Sequence, residues 1–593
     1  MKDRRRRYDV TWSRFFWFTV VLVFLSCVLL TFSTSRLLFR AESFHPVLGS
    51  TRRTSAIKAI SGDSPVTPVL SIRETVAFPD QVIIFLNYPP SARLFTKEEL
   101  DCVYLSANSS QPRLKQPPAQ TDGESLDDQI VRCPIGPRGL SVSLAIKSDV
   151  RVPPGPTHRW DSLAYEALID GDNTTIVFAK GLNLRPARIY NASRFECVYG
   201  WDFRRSKRLI RSDALSAAQE IVRCKTPLSI LNSQRKVNDS IKVSVRVKGR
   251  GILHSAARLR LGRPTDPNPD PVTRKPYEMC ICTMVLNQAK FLKEWVMYHA
   301  RIGVQRWYIY DNNSDDDTDG VIKWLLDANY NVSRHVWPWI KTQEAGFAHC
   351  ALRARDSCLW VGFIDVDEFF HLKSGLMFHD VLQNVSLRYN GVSSLGNSRK
   401  KYGNIGEIRV SCYSFGPSGH KHVPVQGVTV GYTCRILAPE RHKSIIRPEA
   451  LNSSLINVVH HFHLRDGFRF LNMNKGVMVV NHYKYQVWEV FKEKFHRRVA
   501  TYVVDWLDER NVRSKDRAPG LGNRAIEPQD WSNRFCEVQD TGLRDRVLQN
   551  FVSPGNHLLP WQEGYEYEEA KAENIVVKVK NRRRSRRRHR TKP

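Results

Sequence analysis

Acidic side chains are scarce: the 593 residues carry 59 Asp and Glu against 90 Lys and Arg, a formal net charge of +31. Part of the surplus sits at the ends, in Arg4–Arg7 and in Arg582–Arg584, Arg586–Arg588 and Arg590, which by itself leaves a nucleic-acid role open. Long apolar runs are missing beyond residue 35, so there is room for one membrane span and no more. No Ala-x-Ala site follows that run, which argues against a cleaved signal peptide. No Cys or Glu cluster at zinc spacing accompanies His460, His461 and His463, so these histidines do not read as a zinc site. What is present is a 42% hydrophobic chain, enough for two or three domains with cores.

Phe15–Ser35 is 21 residues without a charge, the length of a bilayer span. Arg4–Arg7 and Arg14 precede it, so residues 1–14 should stay cytosolic and the rest should cross, giving a single-pass type II Golgi membrane protein with a lumenal body. Sequons at Asn108, Asn173, Asn191, Asn238, Asn331, Asn384 and Asn452 agree with a lumenal body and not with a nucleic-acid partner. Residues 36–75, with Ser, Thr and Pro and little periodicity, read as a stem.

Residues 76–262 contain one β pattern twice. Cys102-Val-Tyr and Ile130-Val-Arg-Cys133 return as Cys197-Val-Tyr and Ile221-Val-Arg-Cys224, each followed by an apolar strand, Leu140–Ile146 and Ile241–Val247. The alternation in the latter fits a half-buried strand. The order predicts a sandwich-like all-β region with within-copy disulfides Cys102–Cys133 and Cys197–Cys224, serving as a glycan-binding module or as a spacer. Five prolines between 263 and 276 predict a stiff linker and a boundary at which the region separates.

From 277 the pattern alternates strand and helix, which implies a parallel sheet. It culminates in Leu359-Trp-Val-Gly-Phe-Ile-Asp365-Val-Asp367-Glu368-Phe-Phe370. A buried strand ending in two carboxylates, two residues apart, suits one hard divalent cation, Mn²⁺ or Mg²⁺, and through it a phosphate. From about residue 400 strands and loops follow. Ile408–Tyr413 should pair with Val428–Cys434, bridged by Cys412–Cys434. An amphipathic helix buries Val487, Val490, Phe491 and Phe495 and exposes Lys492 and Lys494. Residues 546–593 form a C-terminal extension with a basic disordered tail.

Seven segments resemble glycosyltransferase family 92, whose plant members include β-1,4-galactan synthases: Leu286-Asn-Gln288, Lys293-Glu-Trp295, Tyr310-Asp-Asn-Asn-Ser314, Phe363–Phe369, Phe415–His420, Lys443–Pro448 and Asn481-His-Tyr483. The resemblance covers residues 277–545 and implies an α/β, Rossmann-like GT-A catalytic domain behind the β region and the transmembrane helix. It implies a metal-dependent inverting hexosyltransferase (EC 2.4 class) moving a sugar, galactose from UDP-galactose in the galactan synthases, onto a glycan or cell-wall acceptor. By it Asp365, Asp367 and His482 hold the metal. Asn287, Glu294, Asp311, Lys443 and Arg447 serve the nucleotide-sugar donor. For the acceptor's general base, His461 and Asp466 are the candidates after the sheet. Asn312, a sequon in the Asp311–Ser314 turn, is not expected to carry glycan. The alternative is a non-catalytic glycan-binding Golgi protein with a decayed transferase domain. Either reading leaves room for a homodimer.

Overall fold

The computed structural model describes residues 70–88, 93–106, 111–123, 129–147, 150–184, 188–201, 203, 209–233, 241–260, 275–373, 375–390, 404–502, 526–555 and 557–562. The apolar run, the stem to residue 69, Asn108, Asn238, most of the Pro-rich linker and the basic tail lie outside them. Among the described residues no helix is long and apolar enough to cross a membrane. The chain divides into two compact units. One, residues 1–65 and 228–235, is described only as the short helix Leu228–Ser233. The other holds residues 66–227 and 236–593.

In the first β copy, strands Gln120–Asp122, Ile130–Pro134, Gln81–Asn87, Ser71–Ala77 and Thr157–Arg159 form one sheet. Pro112–Gln116, Leu100–Leu105, Ser141–Ile146 and Val150–Arg151 form the other. Cys102–Cys133 joins the two sheets, and Cys197–Cys224 makes the corresponding link in the second copy. Both pairings are the ones the repeat predicts. Side chains alternate across a strand, so neighbours on Ile130–Pro134 part ways. Val131 and Cys133 enter the sandwich interior with Val82, Ile84 and Leu144. Ile130 points out with Ile83 and Phe85.

That outer face is not solvent-exposed. Phe78, Phe85, Trp160, Tyr165 and Phe178 share one buried cluster with Trp337, Trp339, Phe347 and Phe363 of the following domain. The Trp339 ring lies 5.6 Å from Phe85, 5.6 Å from Trp160 and 5.0 Å from Tyr165. The β region and the catalytic domain thus share one buried core across the expected boundary. Strands Gln81–Asn87 and Thr174–Lys180 are buried on both faces, and their outer apolar face packs against the catalytic domain.

The second domain is built on a nine-stranded sheet. Its strands run in the order Val332–Val336, Arg306–Asp311, Tyr277–Val285, Cys358–Phe363, Arg441–Ile446, Asn404–Ser414, Met478–His482 and Glu368–Leu372, with Phe468–Asn472 alongside Asn404–Ser414. The first four are mutually parallel. The chain starts at Tyr277–Val285, steps outward twice, then returns to the other side of that first strand. This reversal between Tyr277–Val285 and Cys358–Phe363 opens a crevice at their carboxyl ends. Helix Ala289–Arg301 covers one face with Leu292, Trp295 and Val296. Helix Gln343–Ala354 covers the other, tied by Cys282–Cys350, while Cys280–Cys358 staples the central strands.

Two local expectations fail. Val428–Gly431 is a helical turn, and Asn404–Ser414 pairs with Arg441–Ile446 and Met478–His482 instead. Cys434 bonds Cys536, and Cys412 stays unbonded and buried, facing the core with Ile408 and Val410.

The shared core predicts one cooperative unfolding transition for the β region and catalytic domain together. Calorimetry of the protein should show it, and Trp339→Ala should lower stability by about 3–5 kcal/mol. Two transitions, only one of them moved by the substitution, would refute the shared core.

Candidate active site

Strand Cys358–Phe363 delivers Ile364 and then a tight turn. The Glu368 N–H donates to the Asp365 carbonyl (3.0 Å), and the Asp365 N–H donates to Glu368 Oε2 (3.1 Å). Glu368 then opens the antiparallel strand that pairs it with His482. Three carboxylates thus crowd into four residues at the crevice mouth.

The three have different partners. Asp367 Oδ2 lies 3.4 Å from His482 Nε2 and accepts the Lys494 ammonium. Asp365 Oδ2 instead lies 3.5 Å from His460 Nε2. The His460 ring donates from Nδ1 to the Phe363 carbonyl (2.9 Å), which turns Nε2 toward Asp365. Glu368 sits between the halves, 2.5 Å from Lys443 Nζ and 3.6 Å from His482 Nδ1. Of the metal set expected from the sequence, the structure brings Asp367 and His482 together and gives Asp365 a different histidine.

Burial pushes the Asp365 carboxyl up, but His460 and Lys443 outweigh it and hold it well below the usual carboxylate range. Asp367 is likewise driven down by Lys494 and His482 against its burial. For Lys443, burial favours the neutral amine, but Glu368 and Asp365 prevail and keep it charged. The histidines aside, three carboxylates face two ammonium groups. The donor set is carboxylate oxygen plus imidazole nitrogen, and among the described residues the buried His482 Nε2 has no hydrogen-bond partner. These residues fit a hard divalent cation, with Lys494 the group that would have to yield to it.

The other candidates separate by sheet geometry. Arg441–Ile446 runs antiparallel to Cys358–Phe363, with Ile446 opposite Val361. Lys443 is therefore at the carboxylate end and Arg447 at the far end, where it pairs with Glu449 at 2.8 Å over the Trp360 ring. The geometry does not support a donor role for Arg447. Asp466 lies exposed in a turn before Phe468, which pairs with Asn404 and is also at the far end. His461, the first residue of strand His461–Phe462, faces His442, Glu407 and Ser444 rather than Asp365. Burial and the positive neighbours of His461 lower it to about 3. Neither base candidate faces Asp365 or Asp367.

Asn287 and Asp311 do end neighbouring strands at the crevice, but their polar groups are engaged. Asp311 is 1% exposed, accepts from the Ser314 N–H (2.9 Å) and pairs with Arg334 (2.6 Å). Asn287 and Asn313 both adopt positive φ, which asparagine tolerates, and so turn the chain sharply. The Asn287 side chain holds Asp315. Asn312 donates to the Trp337 and Trp339 carbonyls (2.7 and 3.2 Å), so its amide faces protein. Glu294 lies inside the fold, accepting from the Val428 and Thr429 N–H groups (2.8 and 2.9 Å) and the Thr429 hydroxyl (2.5 Å). It caps the helical turn that replaces the expected strand, and it is not a donor ligand here.

Sequence reasoning missed His460 and Lys494 as site residues. Lys494 stands three residues after Phe491 and one before Phe495, at the rim of the apolar face. That position was a signal that it need not point to solvent.

The relatives speak to the class. The pattern described as glycosyltransferase family 92 matches residues 275–511. A glycosyltransferase family 92 protein of Ricinus communis is 66% identical over 570 residues, covering 95% of this chain and 100% of its own. One from Oryza sativa is 48% identical over 88% of this chain and 89% of its own, and one from Arabidopsis thaliana 44% over 92% and 93%. A mannosyltransferase of Pyrobaculum calidifontis, solved with GDP-mannose and Mn²⁺, overlaps 43% of this chain and 70% of its own at 12% identity. Its TM-score of 0.24 is too low to bear on the argument. The crevice and carboxylate turn belong to a glycosyltransferase. The chain belongs to glycosyltransferase family 92.

Glu294 gives a pH test. Burial, against three donors, pushes its carboxyl from 4.5 up to about 7. The unfolded chain releases this proton first, so the stability it contributes is complete below about 4.5 and is lost as pH rises through about 7. Glu294→Gln cannot titrate. Between pH 4.5 and 7.5 the wild-type melting temperature should fall relative to the variant's; parallel curves would contradict the shift.

Proposed function

We propose that this glycosyltransferase is a metal-dependent, inverting enzyme that transfers galactose from UDP-galactose onto a glycan or cell-wall polysaccharide. It would work in the Golgi lumen, tethered by the Phe15–Ser35 span. The observation that carries the reaction is the turn Asp365–Glu368 at the strand reversal, with His460, His482, Lys443 and Lys494 gathered on it. The galactose donor rests on the resemblance to plant galactan synthases. The anchor rests on the apolar run and the arginines before it.

Asp365, Asp367 and His482 would hold the cation, with His460 beside Asp365. When bound, it neutralises charge that develops on the departing diphosphate. Lys443 and Lys494 add positive charge at the same mouth, where a diphosphate gains most from ammonium donors in a site partly closed to water. Asn287 and the loop 312–316 shape the nucleoside side of the crevice.

Lys494 on Asp367 and Lys443 on Glu368 also favour the second reading, a non-catalytic protein whose carboxylates are neutralised by lysines. The purified lumenal body should separate the two when UDP-sugars are screened with an oligosaccharide panel and product linkages are analysed. The proposal expects transfer that chelation abolishes and Mn²⁺ or Mg²⁺ restores. Asp365→Asn and Asp367→Asn should each lower turnover by about two orders of magnitude or more. His482→Ala should lose less and recover at high metal. Wild-type rates in the double Asp→Asn variant would refute the mechanism, and absence of any donor turnover in the wild type would favour the second reading.

A further inference from the structure

The two copies of Ile-Val-Arg-Cys have no role in the site described so far. In each, the cysteine points into the sandwich to its disulfide, so the preceding arginine points out of the opposite face. Both arginines are buried there, and both end on backbone carbonyls of the catalytic domain. Arg132 donates to the carbonyls of Asn313 (3.1 Å) and Ser314 (2.7 Å). Arg223 donates to the carbonyl of Ser453 (2.9 Å). Each is steadied by a buried aspartate of the β region, Arg132 by Asp122 at 2.8 Å and Arg223 by Asp170 at 2.7 Å.

We infer that the duplicated β region is a two-armed clamp, in which the arginine of each copy positions one of the two loops that flank the carboxylate turn. The first arm holds the loop 312–316 at the nucleoside side of the crevice. Asp122 also reaches Arg334 (3.1 Å), which fixes Asp311 at the root of the same loop. The second arm holds the segment 452–460, which ends in His460 beside Asp365. Gln219 reinforces it by trading two hydrogen bonds with the Asn457 backbone, at 2.6 and 2.9 Å. The assignment of loops to donor and metal rests on the proposed function; the grip itself does not.

A guanidinium gripping backbone fixes a loop's path whatever side chains the loop carries. Arg132 and Arg223 are thus positioning residues, and they act on different loops. That separates a clamp from mere docking. Docking contacts, once lost, would loosen both loops alike.

The experiment uses the whole lumenal body with Arg132→Met and Arg223→Met, which keep the stems and remove the donors. Hydrogen exchange, donor KM, kcat and the Mn²⁺ activation constant are measured on each. Arg132→Met should speed exchange in 312–316 alone and raise the UDP-sugar KM about tenfold, the scale of a lost charged hydrogen bond. Its Mn²⁺ activation constant should stay put. Arg223→Met should speed exchange in 452–460 alone and raise the Mn²⁺ requirement about tenfold, with donor KM unchanged. Unaltered exchange in both loops, or the same change in both loops from either variant, would overturn the clamp. Should either methionine variant fail to fold, Asp122→Asn and Gln219→Leu carry the same loop-specific expectations. If the wild type turns over no nucleotide sugar, the transferase reading fails, and the exchange data alone still decide the clamp.

Discussion

Asp365, Asp367 and Glu368 stand within four residues at the end of a buried strand, where carboxylates repel one another at close range with little water to screen them. Much of the catalytic domain answers that repulsion. Lys443 arrives on an antiparallel neighbour and meets Glu368, Lys494 descends from the amphipathic helix onto Asp367, and His482 and His460 come from two further segments. Each is brought to the turn by a different element, so the site exists only when strand Arg441–Ile446, strand Met478–His482, helix Trp488–Tyr502 and the segment before His461 are all in place. The result is a cluster in which each carboxylate has an ammonium or imidazole partner.

Behind the turn, the second constraint is apolar. Helix Gln343–Ala354 and the Trp337–Trp339 segment lie between the sheet and the β region and share one core with both. Aromatic rings dominate that core, and large rings that stack at 5.0–5.6 Å leave little freedom for one domain to slide on the other. Placing the polar arms of Arg132 and Arg223 at the edge of such a core gives them a firm base. A β region that looks like a carbohydrate-binding appendage in sequence is, in the fold, packed into a core shared with the catalytic domain.

Features resting on near neighbours were legible without coordinates. The duplicated strands, both within-copy disulfides, the parallel half of the sheet and the carboxylate turn all follow from alternation, spacing or a short apolar run. Features resting on distant partners were not. Cys412 and Cys434 look paired because they flank one short stretch, but the strand between them never forms, since Glu294 from the helix Ala289–Arg301 caps that stretch as a helical turn. His460 and His461 are indistinguishable as letters; His460, closing a turn, meets Asp365, and His461, opening the next strand, meets His442. Arg447 and Lys443 share a strand region, and the antiparallel direction of that strand alone decides which reaches the site.

The sequence by itself therefore determined the elements, the family and the chemistry concentrated at Asp365–Glu368, because those depend on periodicity and on residues close along the chain. Only the tertiary structure decided which cations meet those carboxylates and that the β region is fused to the catalytic domain. Those outcomes depend on strand direction, on which face a side chain takes, and on contacts between residues more than a hundred positions apart, such as Asp367 with Lys494 and Arg132 with Ser314. No local pattern carries that information, because the free energy that selects it is released only when the sheets close on one another.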